Sequence, residues 1–351
     1  MQPFNASRKG VQAAGFRAYS FLVPPIACSH SEEQEIGGIF LSASHLQLRP
    51  IAAALSLLFA LAFVACSVEK RNPTTQEADI REVNDEAGRR VSVPAKVERF
   101  ISLAPNLTEI VYAVGAEDRL VGNTTFCDYP EAAKKVQKVG DTLQPSIERI
   151  LALRPQLVLV STASQLEAFT KQLDEHSIAV YVTDPHDLEG VFRSINGLGK
   201  LLNEEQRAQE TVNQLRSRAT SVTEAVRSAK PVKVFYQLSA EPLYTAGKAS
   251  FVTDLIQRAG GISVTADVPE AWPRYSQESA VAARPEAIVL PTGGSMGSAN
   301  SDVARGLKRS PAALSGRVYR VNGDFLSRPG PRAVIGLEQL ARVLHPEAFK
   351  K

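Results

Sequence analysis

The sequence predicts an α/β fold: two Rossmann-like lobes with mainly parallel sheets, joined by a single long helix. Three observations carry that prediction. The stretch Ser146–Val160 (SIERILALRPQLVLV) recurs as Ser276–Leu290 (SQESAVAARPEAIVL), with the same order of serine, glutamate, Arg-Pro and branched apolar residues. Short apolar runs alternate with amphipathic stretches on either side of the middle of the chain, the signature of parallel crossovers. Between the two halves, Asn203–Ala229 carries Ala208, Val212, Leu215, Ala219, Val222 and Val226 at spacings of three and four, which predicts one amphipathic helix.

In the repeat, Ser146 and Ser276 are positioned to cap a helix by accepting from a free N–H of its first turn. Glu148 and Glu278 follow where the helix dipole favours negative charge. Arg154-Pro155 and Arg284-Pro285 stop each helix, because the residue before proline is steered out of the α region. Leu157–Val160 and Ala287–Leu290 then read as short buried strands.

The chain of 351 residues opens with residues 1–48, which lack a clear period. Residues 49–66 read as a lipoprotein signal peptide. Arg49 precedes the apolar run Ile51–Ala65, which is shorter than the roughly 20 residues a spanning helix needs. Phe63-Val64-Ala65-Cys66 resembles a lipobox, which makes Cys66 the lipidation site. A signal peptide ordinarily opens a chain, so 1–48 are read as an upstream extension with the start assigned too early; a genuine cytoplasmic extension is the alternative. Residues 67–90 are expected to be a flexible tether, rich in polar residues around Pro73. The N-terminal lobe is placed at 91–202, the linking helix at 203–230 and the C-terminal lobe at 231–351.

Within the first lobe, Arg99–Leu103 reads as a strand. Asn106 and Glu109 fit the capping-box spacing of the helix that follows, with Gly115 as its stop. A second strand at Leu120–Val121 leads into the loop Asn123–Pro130. After the first repeat come a helix near Ser164–Glu175 and a strand at Ile178–Val182. Asn203 with Gln206 is expected to cap the linking helix. The alternation restarts with a strand at Val232–Leu238, a helix at Phe251–Ala259 and the second repeat. A strand at Arg317–Val321 precedes a last helix, Pro331–Leu344, opened by its proline.

Composition excludes several classes. The formal net charge is only +3, with 40 basic and 37 acidic residues and no basic run, so nucleic acid is not an expected partner. The three cysteines, Cys28, Cys66 and Cys127, have no metal-ligand spacing, and no metal site is expected. No nucleophile elbow, zinc-protease helix or phosphate loop occurs, so no catalytic residues are assigned and the chain is not expected to be an enzyme.

Parallel α/β lobes bind ligands beyond the carboxyl ends of their strands. The loops expected there carry rings and cations: Tyr129-Pro130, Tyr236 near a strand end, Trp272-Pro273, and Asp324-Phe325 with Arg328 and Arg332. Flat rings and prolines suit a large, flat, partly apolar ligand, and guanidinium groups suit its amide or carboxylate side arms.

With those residues in place, Phe100–Val160, above all ISLAPNLTEIVYAVGAEDRLVG, FCDYP and IERILALRPQLVLV, resembles the cobalamin-binding proteins of bacterial ABC importers. These sit within a helical-backbone family that also binds siderophores and haem. WPRYSQESAVAARPEAIVL and DFLSRPGPR extend the resemblance into the second half. The resemblance implies a monomeric, lipid-anchored binding protein of the cell envelope. It would capture a cobalt corrinoid, as cargo and not as a resident cofactor, and deliver it to an ABC permease and its ATPase. Tyr129, Trp272, Asp324, Phe325, Arg328 and Arg332 would line the cleft, with Tyr236 a looser alignment. Glu148 and Glu278 would dock the two lobes onto permease arginines. Thr142 stands where the family's cobalamin binder has a tryptophan, so a corrinoid precursor, haem or a ferric siderophore stays open as the ligand. An envelope enzyme on the same scaffold and a purely structural lipoprotein are the readings from other classes.

Overall fold

The computed structural model describes residues 79–161, 166–293 and 302–350. Chain contacts divide the protein into Met1–Thr74 and Thr75–Lys351, and every described residue belongs to the second unit. The signal peptide, Cys28 and Cys66 lie outside the described residues.

The expected tether to residue 90 ends earlier. Ile80–Asn84 (β1) and Arg90–Pro94 (β2) pair antiparallel as a hairpin. Its turn is fastened to the lobe: Glu86 N donates to Val182 O at 3.0 Å, Arg89 Nη2 donates to Val180 O at 2.9 Å, and Asp85 accepts from Val182 N. Val91 and Val93 of β2 also alternate into the core, so the pair is held both by the neighbouring edge strand and by its own apolar face.

The first lobe continues with β3 (Phe100–Ser102), α1 (Pro105–Val114), β4 (Leu120–Asn123), α2 (Ile147–Ala152), β5 (Leu157–Ser161), α3 (Leu166–Asp174) and β6 (Ala179–Thr183). Its four strands run in the order β4-β3-β5-β6, all parallel. Two helices follow where one was expected. Leu188–Leu201 (α4), capped by Asp187, is missing from the sequence reading, and the linking helix proper is Glu205–Val226 (α5). Asn203 is not its cap; it sits in the turn between them at φ 59°. Gly199 lets the two helices touch, since a Cβ there would come within 2.3 Å of the Ala208 Cβ.

The second lobe comprises β7 (Val232–Ala240), β8 (Leu243–Thr245), α6 (Phe251–Arg258), β9 (Gly261–Ser263), α7 (Gln277–Ala282), β10 (Ala287–Thr292), α8 (Pro311–Leu314), β11 (Val318–Asn322), α9 (Gly323–Ser327) and α10 (Ala333–Leu344). Parallel pairing gives β9-β7-β10-β11, the same order as in the first lobe, while β8 folds back antiparallel on the last residues of β7. Pro331 lies before α10 and not at its first position, and Asp324 and Phe325 belong to α9 and not to a loop.

The repeat holds atom for atom at its caps. Ser146 Oγ accepts from Arg149 N, and Ser276 Oγ accepts from Ser279 N. The stops work differently from the expectation: Arg154 (φ 46°) and Arg284 (φ 49°) adopt the left-handed conformation, each donating its N–H three residues back, to Leu151 O and Val281 O. A left-handed residue turns the chain more sharply than an extended one, and it does so identically in both lobes.

Both sheets are two-sided. The outer face of the first packs Ile101, Val158 and Val180 against Ile150 of α2, and the outer face of the second packs Ile288 and Leu290 against Ala280 of α7. Their inner faces join one continuous core, running from Leu157 through Val212 and Val222 of α5 to Val234 and Leu337. With α5 about 33 Å long at 1.5 Å per residue and its apolar stripe buried throughout, the lobes share a core. A shared core of this kind is expected to keep their relative motion small.

Candidate functional site

Strand polarity puts the carboxyl ends of β3, β4, β7, β10 and β11 at one end of their sheets, so the segments that follow them define the site. After β4, the loop 124–130 is held from beneath by Lys138. Its ammonium donates to Asn123 Oδ1 at 2.7 Å, Ala133 O at 3.1 Å and Cys127 O at 3.2 Å, and burial lowers its pKa. Cys127 is buried, and its Sγ lies 3.1 Å from Thr108 Oγ1. The buried Cys127 turns Phe126 and Tyr129 outward, leaving them 41% and 47% exposed. Phe126 was not singled out from the sequence, although it sits in the same short motif.

Across from this loop, α9 and the start of α10 supply Phe325, Arg328 and Arg332. The Arg332 guanidinium stacks 4.1 Å from the Tyr129 ring centre and 5.2 Å from that of Phe325. It also makes a two-point bond to Glu109 of α1, Nη2 to Oε1 at 2.5 Å and Nε to Oε2 at 3.0 Å. Arg332 thus belongs to the second lobe and is held by an acid and a ring of the first.

Arg328 is more deeply placed, its side chain only 5% exposed. Its Nη1 donates to Asp128 Oδ1 at 2.7 Å and stands 3.5 Å from Glu109 Oε1, while Nη2 lies 3.0 Å from Asp324 Oδ1. Arg328 therefore meets three carboxylates, two of them from the other lobe. Asn106 adds a further cross-lobe bond, donating from Nδ2 to Pro329 O at 3.3 Å. The capping-box expectation for Asn106 and Glu109 is overturned: Ala104 precedes the helix, both residues lie inside α1, and both point across to the second lobe. Capping spacing was a real pattern with the wrong owner, because Pro105 occupies the first helical position and moves the start forward.

The charges set one another. Burial pushes the Glu109 carboxyl up, against the pull of Arg332 and Arg328. Burial alone would lower Arg332, but the bond to Glu109 outweighs it and raises the guanidinium pKa. At Asp128 burial pushes up, and the hydrogen bond and charge of Arg328 more than reverse it, so the carboxyl is lowered from 3.8. A depressed carboxyl contributes stability that is complete above the ordinary value and is lost as pH falls through the folded one. Asp128→Asn is expected to flatten the acid limb of stability below about pH 4. The effect is modest because the Asp128 side chain is 45% exposed. Urea unfolding from pH 3 to 6 (~three units) reads it, and an unchanged slope refutes the assignment.

On the second lobe, Thr245 N donates to Pro273 O and Gly247 N to Ala271 O, fixing Trp272 beside the end of β8, where it is 36% exposed. Tyr236 is corrected: it lies inside β7, is fully buried, and backs Trp272 with ring centres 6.3 Å apart. Burial pushes its phenol far up. It lies behind the Trp272 ring and exposes no surface of its own. Glu148 and Glu278 are both exposed in the first turns of α2 and α7. Among the described residues no group of acidic, histidine and cysteine side chains is arranged to hold a metal ion, and no helix is long and apolar enough to cross a membrane.

Comparison with known proteins agrees with this geometry. A family model described as periplasmic binding protein matches residues 101–322. An uncharacterized ABC transporter substrate-binding lipoprotein of Bacillus subtilis, YvrC, is 31% identical and covers 86% of this chain and 98% of its own. The crystal structure of the periplasmic vitamin B12 binding protein BtuF of Vibrio cholerae is 27% identical with a TM-score of 0.64, covering 74% of this chain and 100% of that one. The apo periplasmic heme-binding protein RhuT from Roseiflexus sp. RS-1 is 25% identical with a TM-score of 0.64, covering 72% and 99%. The matched region spans both lobes and the helix between them, and the chain belongs to the periplasmic binding protein family of ABC transporter substrate-binding proteins.

Proposed function

We propose that this protein is a lipid-anchored extracytoplasmic receptor that captures a corrinoid between its lobes and hands it to an ABC permease. The observation that carries the reading is the pair of exposed rings, Tyr129 on one lobe and Trp272 on the other, at the carboxyl ends of parallel sheets. Apolar rings left open beside cations suit a ligand with a flat macrocycle and polar arms. The vitamin B12 binding protein of Vibrio cholerae, alike over its whole length, supports the ligand class. The lipobox at Cys66 and the lipoprotein description of the Bacillus subtilis relative support the anchor. Arg332, with Phe325 beside it, reaches from the second lobe to the Tyr129 ring and completes the wall there, while Arg328 and Asp324 act from beneath it. Glu148 and Glu278 serve as the two docking feet.

Trp272 is the only tryptophan, so its fluorescence reports the cleft. Titration with cobalamin or cobinamide is expected to quench it saturably, with calorimetry giving the same affinity. Silence in both would sink the corrinoid assignment. Haem is the second reading, favoured by the exposed phenol of Tyr129 and the heme-binding relative. A Soret shift on adding haem, lost in Tyr129→Phe, would select it.

A further inference from the structure

The docking feet of the two lobes are not chemically alike. Each helix that carries a foot runs antiparallel to the strand after it, so the first turns of α2 and α7 lie level with the carboxyl ends of the strands. Beside Glu278 the chain builds a basic platform, whereas Glu148 is followed on its own helix by the exposed Arg149. Gly306–Arg309 forms a 3-10 turn that presents Arg305, Lys308 and Arg309, all exposed. Between them Ala304, Leu307 and Ser310 are buried and act as anchors.

Two side-chain amides lock this turn in place. Gln237, fully buried in β7, donates from Nε2 to Asp302 O at 2.8 Å and accepts from Ala304 N at 2.8 Å. Gln277, the neighbour of Glu278, accepts from Gly306 N at 2.7 Å. The turn is therefore tied directly to the first turn of α7. Among the described residues none of Arg305, Lys308 and Arg309 has an ion-pair partner, although other surface arginines here do, such as Arg216 with Glu189 and Arg218 with Glu338. The first-lobe foot has a different neighbourhood: Asp141, which accepts from Leu143 N and Gln144 N, and the 72% exposed Leu143.

Three like charges on a short, rigid turn repel one another at close range. A preorganised cationic surface of this kind fits an external anionic partner, because little ordering entropy is lost when it is engaged. We infer that Arg305, Lys308 and Arg309 form a second, cationic half of the second-lobe foot and dock onto a carboxylate-rich patch of the permease. The inference rests on the docking role given to Glu278 above. Its permease contact at Glu278 needs a cation on the partner, so the partner face would alternate positive and negative where the second lobe lands and would fix which lobe lands there. Anionic lipid headgroups are the competing occupant of the same chemistry. The permease is favoured because the platform is bonded directly to the first turn of the helix that carries Glu278.

The test uses the full chain and the host's permease–ATPase complex in phosphatidylcholine nanodiscs, with empty phosphatidylglycerol nanodiscs as the lipid arm. The triple variant Arg305→Glu, Lys308→Glu, Arg309→Glu is expected to slow association with the complex about tenfold at low salt, the difference shrinking as salt screens it. Corrinoid quenching of Trp272 is expected to be unchanged, which also reports that the variant folds. Unchanged docking in the triple variant, while Glu148→Ala with Glu278→Ala abolishes it, overturns the inference and leaves the docking reading intact. Failure of both variants to affect docking overturns the docking reading itself. Loss confined to the phosphatidylglycerol nanodiscs overturns the permease as partner in favour of the membrane.

Discussion

Glu109→Ala is expected to destabilise the protein by about 3–5 kcal/mol, the cost of removing one partner from a buried ion pair. The Glu109 side chain is 1% exposed, and it faces Arg332 at 13% and Arg328 at 5%. Removing the acid leaves one guanidinium with no carboxylate on its two-point face and the other short of one of its three acids. The cluster lies between α1 and the start of α10, with Pro329 and Gly330 packed on Asn106. Glu109→Gln keeps the shape and one acceptor and is expected to cost less. The double variant Glu109→Ala, Arg332→Ala is expected to cost less than the sum of the two singles, because the second change removes the stranded charge. Chemical denaturation measures all four. A loss under about 1 kcal/mol for Glu109→Ala would place the pair with ordinary surface bridges and refute its role.

The same substitution tests the link from stability to binding. Arg332 is held by Glu109 on one side and lies on the Tyr129 ring on the other. Releasing it frees Tyr129 and loosens the register of the two lobes at the mouth of the cleft, so ligand affinity is expected to fall even under conditions where the variant stays folded.

How legible this was from sequence differs by element, for physical reasons. The duplicated Ser-x-Glu…Arg-Pro stretch showed two lobes because caps, stops and buried strands are local signals, and Ser146 and Ser276 do cap their helices. The helix α4 was equally legible in principle. Leu188, Val191, Phe192, Ile195, Leu198 and Leu201 have helical spacing and all are buried, but Asp187 as its cap went unread. In the hairpin β1–β2 the alternation of Val91 and Val93 is a local strand signal, but the bonds that fasten its turn go to Val180 and Val182, about a hundred positions away. The rings of the site were found by composition, yet Tyr236 was misplaced because strand ends are uncertain by a few residues and the strand extends to Ala240. Of the acids, Glu109 is read from spacing as a helix cap and Asp128 carries no signal of its own. Their partners lie some two hundred residues on, in the other lobe, and a carboxylate on a helix looks the same in sequence whether it faces solvent or a guanidinium.

The paired variant Glu148→Ala, Glu278→Ala is expected to abolish uptake while changing corrinoid affinity by less than about twofold, since both residues stand outside the ring-lined cleft. Glu148 and Glu278 sit on separate lobes that share one buried core through α5, so the fold sets their separation. A rigid two-point contact benefits from effective concentration: once one foot is placed, the second binds as an intramolecular event, worth about 10²-fold or more in avidity. A single substitution forfeits that gain and leaves one weak contact; the double leaves none. Helix-dipole pairing alone would give a different result, a loss of about 0.3–1 kcal/mol in stability with uptake intact. Labelled-corrinoid uptake by cells, set beside Trp272 quenching and thermal unfolding of the purified variants, separates the two outcomes. Uptake at the wild-type rate with both alanines in place would return Glu148 and Glu278 to the helices as dipole partners, and affinity lost together with uptake would move them into the cleft.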